Sequence, residues 1–91
     1  MGPGVTPPKK LRAPLPSYPE IARRTNRTAT VVVSVLVDET GRVIESKVKN
    51  KAGLGFDESA LRSARGAIYT PATKDGVKVK MWAELAVNFQ P

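Results

Sequence analysis

Between positions 77 and 89 every odd residue is apolar: Val77, Val79, Met81, Ala83, Leu85, Val87 and Phe89. Their even neighbours Lys78, Lys80, Trp82, Glu84 and Asn88 are polar or amphipathic, with Ala86 the exception. A period of two sustained over that length predicts one long strand with a buried face and a wet face. Such a strand needs a sheet to receive it and a second layer to cover its apolar side. The chain has 91 residues, 41% of them hydrophobic, which is material for one modest core.

The other elements follow from shorter patterns. Residues 31–37 form a β-branched run, with Val31, Val33, Val35 and Val37 on one face and Val32, Ser34 and Leu36 on the other. Asp38-Glu39-Thr40-Gly41 reads as a turn, and the return strand through residues 42–50 alternates Ile44, Ser46 and Val48 against Glu45, Lys47 and Lys49. Ser17-Tyr18-Pro19-Glu20 has capping-box spacing and opens a short first helix. A second helix is expected with Asp57 as its cap and Phe56, Ala60, Leu61, Ala64 and Ile68 as its apolar stripe, ended by Pro71 and weakened near Gly66. The expected fold is α+β in the order α-β-β-α-β: a three-stranded antiparallel sheet, order 2-1-3, with two helices on one face. Five of the eight prolines lie before Ser17, so residues 1–16 read as a linker end or a bound strap and residues 17–91 as the domain.

Composition excludes much chemistry. Without cysteine or histidine there is no disulfide, thiolate nucleophile, Cys/His metal site or imidazole catalyst. Asp38, Glu39, Asp57, Glu58 and Asp75 all fall at predicted turns or a helix start, where local geometry accounts for them. Gly53-Leu54-Gly55 lacks the context of a phosphate-binding loop. The reading is therefore a binding module that is not an enzyme and carries no cofactor or metal. No apolar run reaches the roughly 18–20 residues of a membrane span.

Fifteen basic against eight acidic residues give a formal charge of +7. Without Lys9, Lys10 and Arg12 the surplus is four, which suits an acidic peptide, a nucleic acid or simple solubility. Lys47, Lys49, Lys78 and Lys80 are expected on the sheet surface opposite the core, but Trp82 is the one aromatic expected among them, a poor platform for stacking bases. The exposed edge of the final strand offers a further use, since unpaired N–H and C=O groups can accept a partner peptide as an added strand.

Tyr18-Pro19-Glu20-Ile21-Ala22, Val37-Asp38-Glu39-Thr40-Gly41-Arg42-Val43, Phe56-Asp57-Glu58-Ser59-Ala60-Leu61, Tyr69-Thr70-Pro71-Ala72 and the strand closing at Phe89 together resemble the C-terminal domain of TonB-family energy transducers. Ala67 stands where that family often has tryptophan. The resemblance implies a periplasmic domain of a protein anchored in the inner membrane by a segment outside this chain and driven by an ExbB/ExbD-like motor. Its partner would be the TonB box of a TonB-dependent outer-membrane receptor, held by strand addition. Mapped onto this sequence, the edge is Lys80, Met81, Trp82, Ala83, Glu84, Leu85, Ala86 and Val87, flanked by Leu15, Pro16, Ser17, Tyr18 and Pro19. The expected partner is not nucleic acid, and the domain is a monomer or a strand-exchanged dimer. A TolA-like envelope scaffold and a basic RNA- or DNA-binding sheet are the alternatives.

Overall fold

The computed structural model describes residues 4–90; residues 1–3 of the proline-rich segment and Pro91 lie outside the described residues. In chain order the elements are β1 (Val5–Thr6), β2 (Lys9–Arg12), α1 (Glu20–Arg24), β3 (Ala29–Val37), β4 (Val43–Val48), α2 (Phe56–Arg65), β5 (Ile68–Thr70), β6 (Ala72–Lys74), β7 (Val77–Val79) and β8 (Met81–Phe89). Among the described residues this is a mixed α+β fold with two helices and three antiparallel sheets, where a single sheet was expected. The largest has the order β4-β3-β8, the second β1-β6-β7, and β2 pairs with β5.

The β-branched run forms β3, which lies between β4 and β8. Val31, Val33, Val35 and Val37 are fully buried, as the alternation requires. They pack with Ala22 of α1, with Phe56, Ala60 and Ala64 of α2, and with Leu85, Val87 and Phe89 of β8. Burying one valine side chain contributes about 1.5–3 kcal/mol, so these four positions hold a large share of the core's stabilisation.

Several local expectations are corrected. The run ending at Phe89 is two strands: Val77 is 64% exposed and β7 joins the second sheet, so the chain changes sheets at Lys80 and only Leu85, Val87 and Phe89 of that alternating face are buried. A bulge shifts the β3–β4 register, with Leu36 opposite Glu45 and Val37 opposite Val43. Ile44 is the extra residue, so it is exposed and Val43 turns inward instead. The first helix begins after Pro19 with no side-chain cap, and Ser17 gives up its expected role. The second starts after Gly55; the Asp57 carboxylate instead accepts hydrogen bonds from the Ala52 and Gly53 N–H groups, 2.8 and 3.0 Å, closing the preceding loop. It ends at Arg65, ahead of Pro71, and Ile68 belongs to β5.

The β3–β4 turn is fastened at two points. The Asp38 carboxylate accepts bonds from the Thr40 hydroxyl (2.6 Å) and from the Thr40 and Arg42 N–H groups (2.9 and 3.0 Å). The Thr40 hydroxyl foremost, then the Arg42 N–H, hold its pKa below the ordinary carboxylate value. Because the folded pKa is the lower one, this contribution to stability is full above the ordinary value and is lost as pH falls through the folded one. The stability difference between the native chain and Asp38→Asn should therefore narrow as pH drops below about 4, which urea melts across pH would detect.

Gly41 supplies the second fastening. Its φ is +89°, its carbonyl accepts from the Tyr69 N–H at 2.8 Å, and a Cβ there would lie 2.0 Å from the Tyr69 carbonyl oxygen. Gly76 shares the positive φ but faces open space. Gly41→Ala should cost about 3 kcal/mol or more in denaturant melts, against about 1 kcal/mol for Gly76→Ala.

Candidate functional site

Backbone parity decides which atoms of β8 face outward. The Val32 carbonyl accepts from the Lys49 N–H at 2.8 Å, and the Val32 N–H donates to the Asn50 side-chain oxygen at 2.7 Å, so Val32 points its backbone toward β4. Hydrogen bonding alternates along an antiparallel strand, so Val31, Val33 and Val35 point theirs toward β8. Their register partners Val87, Leu85 and Ala83 bond inward. Trp82, Glu84, Ala86 and Asn88 therefore aim N–H and C=O away from the sheet. Among the described residues, no strand pairs with β8 on that side.

The two outer edges of this sheet differ. β4 has six residues, a bulge and the charges Glu45 and Lys47, features that discourage pairing. β8 has nine residues in unbroken register with β3. Charge on the outer face of β8 is tied down by cross-sheet partners: Lys49 pairs with Glu84, and the Lys47 ammonium lies 5.4 Å from the centre of the Trp82 ring. The four lysines expected on one surface are divided, Lys47 on β4 and Lys49 just after it, Lys78 on β7 in another sheet, and Lys80 between β7 and β8.

The proline-rich segment runs beside this edge. Its start is held by β1 on β6 and β2 on β5, and Tyr18 secures its far end. The Tyr18 ring stands edge-on to Phe56 (5.9 Å between centroids) and Phe89 (6.3 Å), and its hydroxyl donates to the Arg27 carbonyl. Between these fastenings, residues 13–16 and Lys10 face Leu85, Ala86, Val87 and Asn88 across an open groove of about 230 Å³, with Ser63 of α2 lining it too. Leu15 is 95% exposed.

The structure thus brings together Leu15, Pro16, Leu85, Ala86 and Val87 of the expected site. Met81, Trp82, Ala83 and Glu84 continue the same strand beyond the groove, and Lys80 precedes it. Ser17 gives its carbonyl to the Ser59 hydroxyl, Tyr18 packs into the aromatic cluster and Pro19 caps α1. Lys10, Ala13, Pro14, Ser63 and Asn88 line the groove without having been expected there. Ser63 lies outside the apolar stripe of α2 and Pro14 outside any periodic element, and only the pairing of β2 with β5 brings Lys10 near. No group of three or more His, Cys, Asp or Glu side chains among the described residues is placed to hold a metal. Burial pushes the Tyr69 phenol pKa up.

These features define a small α+β domain whose most available backbone is the edge of its last strand. Residues 14–91 match the family described as Gram-negative bacterial TonB protein C-terminal, and the chain belongs to that family. A comparison with curated proteins gave no match. Membership makes this a periplasmic, non-enzymatic domain with a TonB-like role in energy transduction and transport, and implies outer-membrane receptors as partners. No helix among the described residues is long and apolar enough to cross a membrane.

Parity separates two neighbouring substitutions. Ala83→Pro removes a donor to β3 and should lower the melting temperature by about 10 °C or more, whereas Glu84→Pro removes an outward donor and should shift it by less than about 4 °C. Thermal melts of the two variants measure the contrast.

Proposed function

We propose that this domain grips the TonB box of a TonB-dependent outer-membrane receptor by adding it as a strand to β8, and passes on force from an ExbB/ExbD-like motor reached through an inner-membrane segment outside this chain. The observation that carries the reading is the outward row of N–H and C=O groups at Trp82, Glu84, Ala86 and Asn88, in a strand that is long, in unbroken register with β3 and unpaired on its other side among the described residues. Main-chain bonds to these groups supply affinity, and the groove beside residues 85–88 receives alternate side chains. Lys10 at its rim favours an acidic residue in the guest. The site residues are then Lys80 to Val87 as mapped from the sequence, extended to Asn88, with Leu15 and Pro16 as the facing wall.

A synthetic TonB-box peptide titrated into the chain should shift amide NMR signals along β8, strongest at Glu84, Ala86 and Asn88. Glu84→Pro should weaken binding about tenfold or more while native signals elsewhere persist. Shifts confined to Lys47, Lys49 and Trp82, together with salt-sensitive binding of an unspecific oligonucleotide, would instead support a nucleic-acid-binding sheet.

A further inference from the structure

The wall of the groove opposite β8 is a stretch of chain with little means of holding itself there. Pro14 and Pro16 have no N–H, so they cannot donate to the β8 edge. Their neighbourhood is held by its carbonyls. The Ser63 hydroxyl donates to the Pro14 carbonyl at 2.6 Å, and the Ser59 hydroxyl donates to that of Ser17. Both serines are buried, and each has this bond as its partner.

Ser59, Ser63 and Gly66 follow steps of four and three, one stripe along α2 and its end. Gly66 has φ −92°, which any residue adopts, so backbone freedom does not explain the glycine. A Cβ there would lie 2.7 Å from Pro14 Cγ and 3.2 Å from Cδ, inside contact distance of a stiff ring. The third position of the stripe is therefore small because the strap lies against it.

We infer that Ser59, Ser63 and Gly66 form a latch that holds residues 14–17 at the spacing from β8 that an added strand needs. They thereby set how long the guest stays bound. This rests on the strand-addition reading above. A wall fixed before binding spares the complex the ordering of a loose segment, so loosening or displacing it shortens the life of the complex and leaves the edge donors intact. The three are positioning residues that act through the strap.

The test uses the 91-residue chain and the same TonB-box peptide, with dissociation followed by surface plasmon resonance and sheet integrity by amide hydrogen exchange. Ser59→Ala/Ser63→Ala removes both donors, and Gly66→Ala keeps them but displaces Pro14. Each should speed dissociation about five- to tenfold, the scale of one or two net hydrogen bonds, with exchange protection along β3 and β8 unchanged. Dissociation at the native rate in both variants overturns the latch. So does a loss of sheet protection that parallels the rate, because the residues then serve only stability. If the native chain shows no peptide-induced shifts along β8, the strand-addition reading itself falls, and the latch with it.

Discussion

The hydrogen-bond direction of one strand governs the rest of this domain. β3 is paired along both sides, and its odd residues from Val31 onward are the fully buried valines. In a strand the side-chain face and the backbone direction alternate together, so burying Val31, Val33, Val35 and Val37 obliges those same residues to turn their N–H and C=O toward β8. The inward bonds of β8 are thereby assigned to its own odd positions, of which Leu85, Val87 and Phe89 are buried. Its even positions are left facing outward. Core packing and the availability of the edge are two results of a single phase.

The phase is protected where it is most at risk. A one-residue slip would exchange the buried and exposed faces. The bulge at Ile44 confines its register shift to the end of β4 near the turn and leaves Val33 to Leu36 in step with Val48 to Glu45. At the other end the Asn50 side chain stands in for a further strand residue, accepting from the Val32 N–H and donating to the Thr30 carbonyl at 3.1 Å. Tyr18, Phe56 and Phe89 then close that end of the core, with the Phe56 and Phe89 centroids 4.9 Å apart. The aromatic at the end of β8 is thus also part of what anchors the strap, so edge and wall share a foundation.

Much of this was legible in the sequence because the signals are local and repeated. The valine alternation identifies β3 and its buried face, the Asp-Glu-Thr-Gly turn identifies the hairpin, and Phe56, Ala60 and Ala64 identify the inner face of α2. The three-residue strands β5, β6 and β7 are too short to establish a period; β5 and β6 pair with β2 and β1 across more than fifty residues of chain, and β7 folds back on β6. That also explains why the final strand was read as longer than it is: Val77 and Val79 continue the alternation, yet their sheet is a different one. The outer edge of β8 was legible as an edge. Its groove was not, since the facing wall is a proline-rich segment whose place is decided by two serine hydroxyls and one missing Cβ.

The pairing of the first strands with the middle of the chain's last third gives this domain a particular mechanical layout. Val5 lies opposite Lys74, and the Asp75 N–H donates to the Gly4 carbonyl at 2.7 Å, so the N-terminal end of the described chain is stitched to the β6–β7 hairpin. That hairpin runs through Lys80 directly into β8. Under the function proposed above, tension arriving from the N-terminal side has a short route to the outer edge of β8, by way of a few strand-to-strand bonds and one connecting residue. The valine core lies beside that route and need not yield for the edge to feel the pull.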